Sequence, residues 1–183
     1  MIASDSKIAT TRNEESLSNV ELLAAYEQGI DELRAAVAGM TAEQIQSRPI
    51  AGKWSTLEVV CHLAGTEIYF TDRIERTLAA ERPLLIGVDE SPYAGRLKYQ
   101  ALDIGEELDL FVALRRHAAR VLRSQPSESW ERTGVHSYDG LVTLRQLVVK
   151  AIRHLRHHLP FIAEKRAAMG KRNAPELESE PRT

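Results

Sequence analysis

One cysteine, Cys61, stands in 183 residues, so no disulfide can close within the chain, which excludes a disulfide-stapled scaffold. Glycine and proline are also scarce, at 10 and 7. They fall between periodic segments, which argues against a strand-and-turn fold and for long helices. There is no basic excess: 24 Lys and Arg against 26 Asp and Glu leave a formal charge of −2. A nucleic-acid binder normally carries the positive charge that displaces counterions from phosphates, so no nucleic-acid partner is expected. No apolar run approaches the ~20 residues of a membrane span, and residues 1–16 lack the apolar centre of a secretory signal. The expected setting is the cytoplasm, with no membrane partner. What is present is ordinary, 43% hydrophobic and 27% charged, as in a single globular domain.

Helix starts are marked by a Ser, Thr or Asp whose side chain accepts from an early N–H, with Glu or Gln three residues later reaching back. Ser18-x-x-Glu21 opens a helix to about Gly39, and Ser55-x-x-Glu58 a second to about Ala80. Asp103-x-x-Glu106 opens a third that stops before Pro126, and Thr143-x-x-Gln146 a fourth that fades near Gly170. Thr41-x-x-Gln44 caps one extra turn before Pro49. Strand signals are confined to brief pairing at Gly134-Val135-His136. Four amphipathic helices bury their apolar stripes as an all-α four-helix bundle. The connection at 81–102 is long enough to cross the bundle, and long loops in compact domains are often functional. The expected organisation is a disordered segment at 1–16, the bundle at 17–169 and a flexible tail at 170–183.

Three of the six histidines crowd into His154-Leu-Arg-His157-His158. On a helical wheel His154 and His158 lie one turn apart beside the apolar arc, while His157 faces water. Imidazoles at this spacing can chelate a metal through bonds of about 2.0–2.1 Å. A third ligand is needed, and His62, in the apolar stretch Glu58-Val-Val-Cys61-His62-Leu63, is the candidate. It stands about seven residues, roughly 10 Å, into its helix, and His158 about ten residues from the end of its own. Antiparallel packing therefore brings them to similar depth. The residues alone leave two readings open, an ion site and ordinary buried histidines. Glu58, one turn before His62, is a candidate carboxylate for the outer sphere. Neither the Glu-x-x-His of di-iron bundles nor His-Glu-x-x-His occurs at these histidines, and there is no Gly-rich phosphate loop.

These motifs resemble the DinB/YfiT-like superfamily of metal-dependent enzymes: Trp54-Ser55 ahead of Glu58-x-x-x-His62-Leu63; Arg132-x-Gly134-x-His136 before Gly140-x-x-Thr143-Leu144; then His154-x-x-His157-His158-Leu159. The resemblance spans roughly 17–165. It implies a bundle in non-sequential order, with a long crossover between helices two and three, and a divalent metal on His62, His154 and His158. Zinc or nickel come first as the metal, then manganese or iron. It implies two chemistries on a small-molecule substrate, hydrolysis or transfer of a low-molecular-weight thiol to an electrophile. The family often has Gln shortly after the last histidine, where this chain has Leu159-Pro160-Phe161. His136 corresponds to a histidine that the family often places near the metal mouth.

Other residues complete the expectations. Tyr69, two turns after His62, is a candidate to direct its hydroxyl at the metal pocket. Cys61 points about 100° away from His62 and belongs to the core. Trp54 closes a bundle end as a staple, and Trp130 either closes another or lines the pocket. His117 reads as a solvated face, as do Arg115-Arg116, Arg153 and Arg156, one of which is a candidate to hold an anionic substrate. A non-catalytic metal- or ligand-binding bundle, stress-related, is the alternative to an enzyme, and a homodimer or plain dimerisation module is a further possibility.

Overall fold

The computed structural model describes residues 14–172, with side chains as far as Gly170. Every helix start read from the sequence carries its cap. Ser18 and Glu21 form a reciprocal box ahead of α1 (Asn19–Val37), Thr41 and Gln44 ahead of α2 (Ala42–Gln46), and Ser55 and Glu58 ahead of α3 (Thr56–Ala79). The connection that follows holds β1 (Leu84–Leu85) and α4 (Tyr93–Arg96). Asp103 then accepts from the N–H groups of Gly105 and Glu106 to start α5 (Ile104–Arg123). A hairpin of β2 (Thr133–His136) and β3 (Gly140–Thr143) leads into α6 (Leu144–Arg172). There Thr143 and Gln146 exchange hydrogen bonds of 2.9 and 3.1 Å. Such caps satisfy N–H groups that the first turn of a helix leaves unpaired.

Two apolar clusters fix the helix directions. One gathers Leu22 and Tyr26 of α1, Phe70 and Ile74 of α3, Ala118 and Leu122 of α5, and Leu144 to Ile152 of α6. The other gathers Ile30, Leu33 and Val37, then Val60 and Leu63, Phe111 and Val112, and Leu155 and Ile162. Thus α1 and α6 run one way, α3 and α5 the other. The helix α3 packs on α5 and α6, and α1 packs on the same two, which puts α1 and α3 on one diagonal. Neighbours α3 and α5 are parallel, so the chain must return the length of α3, whose 24 residues span ~36 Å. Residues 80–103 make that return.

The sheet differs from the sequence reading. Three strands pair in the order β1-β2-β3, the first pair parallel and the second antiparallel. A two-residue strand inside the crossover, whose partner lies far along the chain, leaves no alternating pattern to detect. Arg132 ties this end to α3, donating from Nε to Thr77 O (2.9 Å) and from Nη2 to Ala80 O (2.8 Å), which satisfies carbonyls at the helix terminus.

The ends also depart from expectation. Residues 1–13 and 173–183 lie outside the described residues, but Glu14–Ser16 form a 3-10 turn and α6 continues past Gly170 to Arg172. Glu14 is buried and paired with Arg153 and Arg156 at 3.2 Å each. Arg156 also meets Glu32 at 3.0 Å. These two arginines are therefore ion-paired rather than freely solvated. Among the described residues no helix is long and apolar enough to cross a membrane.

The largest departure is Arg115, 1% exposed at the centre of the bundle. From α5 it donates through Nε to Glu67 of α3 (3.1 Å), through Nη1 to Tyr26 O of α1 (3.0 Å) and through Nη2 to Ala151 O of α6 (3.0 Å). Glu67 also accepts from the Tyr26 hydroxyl. Gly29 leaves room for it, since a Cβ there would stand 2.0 Å from Arg115 Nη1. One charged side chain thus touches all four long helices. Removing one partner of a buried pair leaves an uncompensated charge, so Glu67→Ala is expected to cost about 3–5 kcal/mol in urea unfolding. Glu67→Leu combined with Arg115→Met is expected to cost less than Glu67→Ala alone. A Glu67→Ala protein as stable as wild type would contradict this role.

Candidate metal centre

Because α3 and α6 are antiparallel, His62 on one and His154 and His158 on the other meet at one level. His62 Nε2 lies 3.2 Å from His154 Nε2 and 3.1 Å from His158 Nε2. The three ligand atoms lie within 4.8 Å of one another, and among the described residues no carboxylate or thiol joins the group. Two nitrogens on one ion can be no farther apart than two bond lengths, about 4.2 Å, so the two measured separations fit a shared ion. His157 is exposed.

The outer nitrogens of His62 and His154 set the tautomers of those two rings. His62 Nδ1 faces Glu90 Oε2 at 3.2 Å, and as donor to that carboxylate it leaves the lone pair on Nε2. Thr66 Oγ1 donates to Leu63 O at 3.1 Å and stands 3.4 Å from His154 Nδ1, free to accept its proton. Two lone pairs then face each other at 3.2 Å, an arrangement that a shared cation stabilises. His158 Nδ1 is buried without a hydrogen-bond partner. Burial pushes His62 down to about 4 and His154 down to about 3, the latter helped by His158 and His62. Burial, then His62, pushes His158 down to about 4. All three are neutral at pH 7, the form a metal requires.

The other candidates fall differently. Glu58 does not reach His62. It closes the capping box, accepting from Ser55 N at 2.7 Å, and meets Arg48 Nε at 3.0 Å. Burial opposes it, but Arg48 and Ser55 hold its carboxyl below the usual range. The carboxylate at the histidines is Glu90, from the crossover. Tyr69 donates to the Tyr93 hydroxyl at 3.0 Å and so joins the crossover, not the histidine cluster. His136 is buried at the end of β2, its Nδ1 2.9 Å from Asp139 Oδ2, and is not among the three. Cys61 is 1% exposed, and burial, then Glu107, pushes its thiol up to about 12, so it is no nucleophile. Trp54 packs against His62 with tilted rings whose centroids are 5.1 Å apart, and Trp130 is buried at the other end. His117 is exposed and pairs with Glu75 at 2.5 Å.

A cleft of ≈ 230 Å³ opens at His158 between Trp54, Val59, Phe161 and Lys165. The larger cleft, ≈ 610 Å³, is lined by Glu15, Asp139 and Lys150 among others and contains none of the three histidines. Of these two clefts, the smaller touches an imidazole of the cluster.

Comparison with known proteins follows the same lines. The family model for the DinB superfamily matches residues 25–162. A Bacillus licheniformis protein with the provisional name metal-dependent hydrolase is 29% identical over 139 residues, 75% of this chain and 79% of its own. One from Oceanobacillus iheyensis with the same provisional name is 27% identical over 130 residues, 71% and 75% of the two chains. The solved structure of YfiT from Bacillus subtilis is described as a probable metal-dependent hydrolase with an unusual four-helix bundle topology. It aligns with a TM-score of 0.77 at 25% identity, over 85% of this chain and 91% of that one.

The buried histidines make the metal-free fold acid-sensitive. Their folded values of about 3 to 4 lie below the unfolded value of about 6.5. As pH falls through 6.5 the unfolded chain binds protons that the folded chain refuses, so stability present above 6.5 is lost progressively toward pH 4. The urea midpoint of the metal-free protein is expected to drop over this range, and less steeply for His154→Gln. Parallel pH profiles for the two would contradict the assignment.

Proposed function

The chain belongs to the DinB superfamily, and from that premise we propose that it is a metal-dependent hydrolase whose single divalent ion is held by His62, His154 and His158. The observation that carries this reading is the meeting of the Nε2 atoms of three neutral rings with no fourth protein donor in the group among the described residues. A structural zinc site closes with four protein ligands, whereas a catalytic one keeps a position open. Bound there, the ion supplies Lewis acidity toward water and toward a carbonyl or phosphoryl group. Imidazole donors suit zinc or nickel first, then iron, with manganese preferring oxygen.

The chain's own residues orient and enclose the site. Glu90 and Thr66 hold the outer nitrogens of His62 and His154, which keeps both rings aimed at one point. Trp54 and Phe161 give the cleft at His158 an apolar wall. The provisional names of the relatives favour hydrolysis over thiol transfer. A cytoplasmic setting agrees with a lone buried thiol.

Purified protein is expected to hold about one divalent ion per chain and, once loaded, to turn over members of an ester, amide and phosphoester panel in a chelator-sensitive way. His154→Ala is expected to lose both ion and turnover while its circular dichroism remains helical. Turnover that survives this substitution, or activity only with a thiol plus an electrophile, would contradict the hydrolase reading. Separately, Glu90→Gln is expected to weaken metal affinity by about 10–100-fold in chelator competition. Unchanged affinity would mean that Glu90 does not support His62.

A further inference from the structure

Arg73 is a half-buried cation on the metal-facing stripe of α3. His62, Thr66, Tyr69 and Arg73 follow one another at spacings of four, three and four, which is one face of a helix. Its Nη2 donates to Ile86 O at 2.8 Å, and its guanidinium lies 5.8 Å from the centroid of the Tyr69 ring. The carboxylates within its electrostatic reach are Glu90, Asp72 and Asp139, and each is engaged elsewhere. Glu90 faces His62, Asp72 pairs with Arg76 at 2.8 Å, and Asp139 is held by Lys150 and His136. A clamp on one carbonyl needs a single donor. A guanidinium offers five in a fork that matches a carboxylate or phosphate.

Along α3 Arg73 stands eleven residues, about 16 Å of helix axis, beyond His62, and their partners in the crossover lie closer together. Ile86, which Arg73 touches, and Glu90, which His62 touches, are four residues apart, so at most about 14 Å of extended chain separates them. His136 pairs in register with Leu85, which brings it to the same end, where Arg73 acts on it electrostatically. The Tyr93 hydroxyl, already accepting from Tyr69, retains a proton to donate between the two ends.

We propose that Arg73 is the anion-recognising end of the substrate site, holding the carboxylate or phosphate of a small molecule whose reacting end lies at His62, His154 and His158. The substrate is then an anionic molecule on the order of 10 Å long, and neutral or cationic analogues of the same length bind more weakly. The inference rests on the metal-site reading and adds to it the charge and reach of the substrate.

The test uses the full chain loaded with Co(II), whose visible spectrum reports a thiolate joining the ion. ω-Mercaptooctanoate and ω-mercaptooctanol offer the same thiol and the same chain with and without a terminal charge. The acid is expected to bind about tenfold more tightly. Arg73→Gln is expected to remove that preference without changing the cobalt spectrum of the ligand-free protein, and Arg73→Lys to keep part of it, as a point charge without the fork. ω-Mercaptohexyl phosphate shows which anion is preferred. Equal affinities for acid and alcohol in the wild type, or a preference that survives Arg73→Gln, would overturn the role of Arg73 and leave the metal site standing. A wild-type protein that takes up no cobalt would remove the metal reading and this inference with it.

Discussion

Imidazole lone pairs repel, and the proposed metal site has two of them, on His62 and His154, facing each other at 3.2 Å. That arrangement organises the rest of the molecule. The rings meet only if α3 and α6 run antiparallel as neighbours, and their inner nitrogens stay unprotonated only if the outer ones have acceptors. Thr66 supplies one from the same helix as His62. Glu90 supplies the other from the crossover, so the connection that makes the bundle topology possible also completes the site.

The same topology is pinned by charge at its centre. Arg115 bonds to groups on α1, α3 and α6, and a pair that leaves water gains little net stability unless its hydrogen bonds are well made. Here the Tyr26 hydroxyl, two backbone carbonyls and the Glu67 carboxylate share that work. Arg115 also lies over the rings of Tyr26 and Phe111, 4.5 and 4.7 Å from their centroids, which adds attraction to the aromatic faces. A bundle packed by apolar contacts alone tolerates other helix orders more readily than one whose centre must satisfy a guanidinium.

Local signals were readable from the sequence because they depend on residues three or four apart. The caps at Ser18, Ser55, Asp103 and Thr143, and the inward turn of His154 and His158, are of this kind. Glu58 was open to two readings, as the closing carboxylate of the Ser55 box and as a partner for His62. Capping won, because the first-turn N–H groups lie within its reach while its ring target lies a turn deeper. Glu90 had no local signature, since its relation to His62 exists only after the crossover folds back. Arg115 was misread through its chemistry, for its spacing from Leu108, Phe111, Ala118 and Leu122 is that of the apolar stripe itself. Glu67 and Lys165 are buried at 2% for the same reason, on stripes where a charged residue type concealed the position.

The most direct test of the account is X-ray absorption at the zinc edge of the loaded protein. Three imidazole nitrogens at about 2.0–2.1 Å, with a light oxygen-type neighbour completing the shell, is the expected result. A sulfur scatterer, or a shell with fewer than three imidazoles, would show that the ion sits elsewhere and that the three histidines are not its ligands.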